Sequence, residues 1–518
     1  MVYIVWFSKR CNHGEAMLNK KIERWGLWLG PVIGVGITVF GDLKPGHPEV
    51  THTAGVACWM AVWWMTEAVP LAATALLPVV LFPLLGIMSG QEVAPLYLNH
   101  IIFLFVGGFM VALGMQRWNL HRRIALRLLL LFGGCPRCIL TGFMLVTAFL
   151  SMWISNTATT MMMVPIALAI VVRMEEQGVA SGSFGTAVFL GVAYAASIGG
   201  SATLVGTPTN LSFVRILSIH FAEVPEISFA MWFAFALPLA CVMLVCAWGA
   251  LCLVFGIRGR GDDIDLSVVR AQYAELGPMS FAEKVVLADF VLLALLWLSR
   301  RPIQIGDWTL PGWSQFFESG GLITDGSVAM AMALILFVVP ARDGAKSRVM
   351  DWQTAGNVPW HIVLLIGGGF ALASGFKESG LSLWCAQQLE GMGRLHPLFL
   401  VGGLCVMMTF LTELTSNTAT AEMFLPVLAA LSVAVGLNPL LLMIPATLSC
   451  SCAFMLPVAT PPNAIVFGTD RISMRDMARV GVGLNLIGAV MITAAIAVVG
   501  RVVLGIELGV MPDWAKIQ

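Results

Sequence analysis

Ser155-Asn156-Thr157-Ala158-Thr159, set inside the apolar run 138–172, returns unchanged as Ser416-Asn417-Thr418-Ala419-Thr420 inside the run 397–434. The displacement is 261 positions, and Gly107-Gly108-Phe109 returns as Gly368-Gly369-Phe370 with the same displacement. Thr207-Pro208-Thr209-Asn210 returns as Thr460-Pro461-Pro462-Asn463, now displaced by 253. Three motifs recurring in one order mark an internal duplication. A polar tripeptide between two apolar arms reads as a hairpin tip, because Ser and Asn favour helix starts. Proline has no N–H donor and disrupts the preceding turn, so 184–217 and 440–470 read as broken helices.

Working outward, the 518 residues are 58% hydrophobic and 11% charged. Soluble domains carry about 25% charged residues, so a water-facing enzyme and a disordered chain are both excluded. Twenty-nine Lys and Arg balance 29 Asp and Glu, which leaves no net charge to draw nucleic acid. The apolar residues fall in long blocks rather than alternating ten-residue segments. The chain therefore reads as an all-α polytopic membrane protein and not a barrel. The 11 cysteines read as small hydrophobes. Cys135 and Cys138 have CxxC spacing but no second pair, and no function is assigned to them. Val2–Phe7 is too short for the core of a signal peptide.

Eleven crossings are expected, near 26–41, 54–69, 71–86, 99–116, 184–217, 229–257, 284–299, 324–340, 358–376, 440–470 and 480–504. The runs 138–172 and 397–434 are expected to enter and leave on one side. In that layout 21 of the 29 Lys and Arg face the cytoplasm, which places the N-terminus inside and the C-terminus outside. Five crossings separate the fourth from the ninth. An odd number inverts the second copy, and inverted repeats belong to secondary transporters, with substrate held at the repeat interface near the midplane.

A helix N-terminus offers unpaired N–H groups and partial positive charge, enough to hold a carboxylate without a basic side chain. Carbonyls freed near Gly206 and Ala459 are hard oxygen ligands suited to Na+. Segments 138–172, 184–214, 397–434 and 440–470 contain no Lys or Arg. A dianion buried there needs compensation, since bare charge in an apolar medium costs many kcal/mol. Bound Na+ would provide it and so couple the two. Glu413 and Glu422 flank the second tip, and intramembrane carboxylates are functional candidates; a role in stabilising the tip is the alternative.

With these residues in view, the chain resembles the divalent anion/sodium symporter family, the INDY-type Na+-coupled dicarboxylate transporters. Carrying the match are the paired Ser-Asn-Thr tips, the stretch from Cys450 to Val466, and the segments Trp64–Leu71 and Trp118–Leu126. The resemblance implies one Na+ site at Ser151, Ser155, Asn156 and the Gly206 carbonyl. It implies a second at Thr412, Asn417 and the carbonyls of Thr415 and Ala459, so at least two sites. Substrate carboxylates would meet Asn156, Thr157, Asn417 and Thr418, with Thr207, Thr460 and Pro461 nearby. Thr209 departs from the family, which often has a second proline there. The resemblance further implies a homodimer working as an elevator. Residues 1–137 and 258–396 would form its scaffold, and 138–257 and 397–518 its transport part. C4 dicarboxylates (succinate, fumarate, malate) are the expected substrates. Alternatives are Na+-coupled citrate or sulfate symport, sodium-free antiport, and proton coupling through Glu413 or Glu422. A membrane-embedded enzyme would need a constellation such as HExxH, which the eight His do not form. A channel would need a repeated filter loop, and none recurs.

Overall fold

The computed structural model describes residues 13–132, 135–176, 182–257, 266–305, 308–342, 348–389, 391 and 395–516. The chain begins with α1 (His13–Phe40), α2 (Pro48–Thr66) and the short α3 (Leu71–Thr74), α4 (Leu77–Leu84) and α5 (Gly90–Val93). Then come α6 (His100–Arg117), α7 (Leu120–Leu129), α8 (Pro136–Ser151), α9 (Asn156–Glu176), α10 (Gly182–Ser201), α11 (Pro208–His220) and α12 (Phe229–Val254). The middle holds α13 (Ser267–Glu275), α14 (Phe281–Leu298), an antiparallel ribbon of β1 (Ile303–Ile305) and β2 (Trp308–Leu310), α15 (Asp325–Val338) and α16 (Trp352–Ala355). The last third is α17 (Trp360–Glu378), α18 (Leu381–Gln388), α19 (Pro397–Thr412), α20 (Asn417–Ala434), α21 (Pro439–Cys450), α22 (Pro461–Phe467) and α23 (Met474–Leu504). Seven helices among the described residues are long and apolar enough to span a bilayer. The sequence reading contained no strand; the ribbon lies in the polar connection between α14 and α15.

The duplication is visible in the backbone. Pro136 and Pro397 both occupy the first position of the first hairpin arm, where a missing N–H costs nothing. Pro165 and Pro426 lie inside the second arms. All four obey the 261-residue displacement. Asn119 and Gly380 obey it too. Both adopt left-handed backbone, φ 56° and 76°, to turn the chain into α7 and α18. Asn tolerates that region better than most residues, and Gly adopts it freely.

The copies are packed by exchange. A Cβ on Gly107 of α6 would come within 2.7 Å of the Ala329 backbone in α15. A Cβ on Gly368 of α17 would overlap Ala75, between α3 and α4. Each glycine lets its helix approach an element of the other half, as small residues do in membrane interfaces. Side chains from Phe184 to Ser201 in α10, and all of α21, are buried. These helices form the centre. By contrast Val245 and Leu253 on α12, and Val490, Val498 and Val502 on α23, are exposed, an apolar perimeter suited to lipid.

Candidate functional site

Four residues, 152–155, join α8 to α9. Ser151, the last residue of α8, is fully buried. Its Oγ lies 2.6 Å from Asn156 Oδ1 and 2.7 Å from the Ala196 carbonyl oxygen of α10. The hydroxyl has a single hydrogen for these two acceptors, which leaves oxygen lone pairs of the kind a hard cation takes up. A Cβ on Gly200 would overlap Asn156 Oδ1, and one on Gly206 would overlap the Gly200 carbonyl. Two glycines thus press the break between α10 and α11 against the tip. Thr203 Oγ1 donates to the Met152 carbonyl (2.5 Å) and accepts the Gly206 N–H (3.0 Å), pinning loop to tip. Ser155 Oγ accepts the Ala158 N–H at 3.3 Å, and Thr157 is half-buried in the first turn of α9.

The second tip repeats this with one change. Thr412 Oγ1 lies 2.6 Å from Asn417 Oδ1 and 3.2 Å from the Cys450 carbonyl. Ser416 precedes α20 without a side-chain capping bond. That differs from the cap expected of it and leaves the first N–H groups of α20 to other acceptors. Met152 has Glu413 as its mate, and there the side chain replaces the main chain. Glu413 is buried, and its carboxylate accepts the N–H groups of Phe454 (2.8 Å), Met455 (2.9 Å) and Leu456 (3.0 Å). Asn485 Nδ2 adds a fourth bond at 2.7 Å. Glu413 fastens the second tip to the second break.

The prolines do not leave every nearby carbonyl free. Asn210 Nδ2 donates to the carbonyls of Thr203 (2.7 Å) and Ser201 (3.3 Å). Asn463 Nδ2 donates to those of Leu456 and Ala453, both at 3.0 Å. Thr203 and Leu456 are themselves displaced by 253. Both asparagines are wholly buried and brace the loops that carry Gly206 and Ala459. Thr207 and Thr460 immediately precede α11 and α22, and Thr460 Oγ1 accepts the Asn463 N–H at 3.3 Å. Pro461 is exposed, and Thr418 and Ala459 are buried. The two halves cross: α9 packs on α22 and α11 on α20. Thr209 Oγ1 stands 3.4 Å from Ser451 Oγ, bringing the breaks together. Among the described residues no hydrogen bond joins the tips directly. Thr415 turns its hydroxyl back into its own hairpin, onto the Leu411 carbonyl and Thr420.

A family model described as the sodium:sulfate symporter transmembrane region matches residues 25–506. The chain belongs to the sodium:sulfate symporter family. It is 40% identical over 517 residues to the sodium-dependent dicarboxylate transporter SdcS of Staphylococcus saprophyticus, covering 98% of this chain and 96% of that one. The Staphylococcus aureus transporter of the same name is 41% identical with the same coverage. Two solved transporters share the fold at 13% identity. YdaH of Alcanivorax borkumensis has a TM-score of 0.53 over 80% of this chain and 87% of its own. MtrF of Neisseria gonorrhoeae has 0.54 over 91% and 96%. The chain is thus an all-α, multi-pass membrane transporter. The divalent anion/sodium resemblance read from its tips holds.

The sequence reading had no means of finding the Ala196 and Cys450 carbonyls, because main-chain acceptors leave no residue signature. Asn210 and Asn463 stood in the quoted motif, and their recurrence was the signal that they do structural work.

Proposed function

We propose that this symporter takes up C4 dicarboxylates such as succinate, fumarate and malate, driven by Na+. One observation carries the reading: two matched oxygen clusters, Ser151 with Asn156 and Ala196, and Thr412 with Asn417 and Cys450, stand at helix N-termini in segments without Lys or Arg. Each cluster has more acceptors than hydrogens and suits one Na+, which gives at least two ion sites. Ser155 with the Gly206 carbonyl, and Ala459 with the Thr415 carbonyl, would complete the shells. The N-terminal turns of α9 and α20, with Asn156, Thr157, Asn417 and Thr418, would each hold one carboxylate of a short diacid; Thr207, Thr460 and Pro461 border them. The bound cations offset the dianion, so neither species is favoured without the other. The dicarboxylate is favoured over sulfate or citrate because relatives 40% and 41% identical carry that name.

The hairpins, broken helices, α12 and α23 would move as the transport part against a scaffold of 1–137 and 258–396. The assembly would be a homodimer in the cytoplasmic membrane, N-terminus inside. The test is radiolabelled succinate uptake into proteoliposomes. A Na+ gradient is expected to drive it, choline to abolish it, and Asn156→Ala or Asn417→Ala to cut it at least tenfold, roughly the value of one lost ligand. Equal uptake in choline refutes sodium coupling, and unaffected variants refute the site. Three Na+ per dianion would make uptake voltage-driven, at about 2.3 kcal/mol per net charge across 100 mV.

A further inference from the structure

Glu422 lies one helical turn into α20 from the second tip and is fully buried. Its Oε1 is hydrogen-bonded to Ser212 Oγ of α11, and Ser212 Oγ is also 3.2 Å from the Pro208 carbonyl. Among the described residues its Oε2 has no hydrogen-bond partner. That oxygen is pressed on Gly369 of α17, where a Cβ would overlap it. The side chain is wholly shut off from solvent. Nor, among the described residues, does any charge face it. On α11, Arg215 bonds Ser218 and His220 bonds the Ile216 carbonyl; on α17, Lys377 donates to the Ile219 carbonyl. His361 and Glu378 are at the far ends of α17. Of the other helices packed on α20, α18, α19 and α21 carry no Lys, Arg, His, Asp or Glu, and on α2 Glu49 pairs with His47 while His52 bonds the Leu85 carbonyl. The repeat mate of Glu422 is Met161, which is exposed, so duplication does not account for the acid.

An ionised carboxylate with one bare oxygen and no countercharge is among the costliest groups to bury. A neutral acid fits every contact. With hydrogen on Oε1, the acid donates to Ser212 Oγ, Ser212 donates to the Pro208 carbonyl, and Oε2 is left as an uncharged carbonyl oxygen against Gly369. We propose that Glu422 is a proton-binding site between the second hairpin and α17, hydrogen-bonded through Ser212 to the carbonyl of the proline that opens α11. One H+ from water joins the carboxylate and its charge goes from −1 to 0. Only the uptake readout below rests on the transport reading.

Infrared spectra of the purified protein in lipid are expected to show a protonated carboxyl C=O band that Glu422→Gln removes. Ser212→Ala keeps the acid but deletes the acceptor of its hydrogen, and is expected to shift that band to higher frequency. In proteoliposomes with saturating Na+, raising the pH is expected to lower wild-type uptake relative to Glu422→Gln, by up to about tenfold for each pH unit past the titration point. Both proteins see the same ionisation of the substrate, so the ratio isolates the residue. A band that survives Glu422→Gln or ignores Ser212→Ala, or a ratio constant across pH, overturns the proposal. Loss of Na+-driven uptake with the band in place would count against the transport reading alone.

Discussion

Replacing Glu413 by alanine tests whether a carboxylate holds the second tip as a hydroxyl holds the first. Its removal leaves three main-chain N–H groups and the Asn485 amide without their acceptor in a buried place. Hydrogen bonds to a charged acceptor contribute about 1.5–3 kcal/mol each. They are not additive, and desolvation of the carboxylate offsets part of the sum, so about 3–5 kcal/mol is the expected net loss. In the first half, Thr203→Ala removes two neutral bonds, to the Met152 carbonyl and from the Gly206 N–H, for about 2 kcal/mol. With an unfolding entropy of about 2 cal/mol/K per residue, a chain of 518 residues loses about 1 °C of Tm per kcal/mol. Thermal denaturation in detergent, in Na+ and in choline, is therefore expected to show a fall of about 3–5 °C for Glu413→Ala and about 2 °C for Thr203→Ala. A Glu413→Ala protein as stable as wild type, or more stable than Thr203→Ala, would refute the pinning role.

Ser151→Ala and Thr412→Ala each take one oxygen from a cluster; the expected result is a rise in the Na+ concentration needed for half-maximal uptake and a smaller Na+-dependent gain in Tm, by mass action. Gly200→Ala puts a methyl group on Asn156 Oδ1, and uptake is expected to fall at least tenfold while the protein still reaches the membrane, read by uptake against surface abundance. Arg300 is buried, donating to Asp325 at 2.5 Å, to the Ile323 carbonyl at 2.8 Å and to Glu226; Arg300→Ala strands Asp325 and is expected to cost about 3–5 kcal/mol, seen as a lower Tm. A disulfide engineered between α17 and α20 in a cysteine-free background is expected to stop uptake while Na+ still raises Tm. Unimpaired uptake there would count against relative motion of these helices.

Much of the architecture was legible because a duplication constrains two places at once. The displacement of 261 found in Ser-Asn-Thr reappears in proline positions and in the left-handed turns at Asn119 and Gly380. The paired glycines, quoted as part of the duplication, meet the opposite half. The pairing of side chains at the candidate site was legible: Ser151 and Asn156, and Thr412 and Asn417, come together at both tips. The main-chain part, at Ala196 and Cys450, was illegible. Glu413 was ambiguous for another reason. Its mate is Met152, which does the same job with a carbonyl, so comparing the copies by residue type concealed a shared function.

The exchanged glycine contacts bear on how such a chain assembles. Gly107 needs Ala329 and Gly368 needs Ala75, so neither half owns a complete surface to close upon. Each half thus finishes its packing on the other. Severed in the connection between α12 and α13, the fragments should find each other when made together, and each should be degraded when made by itself.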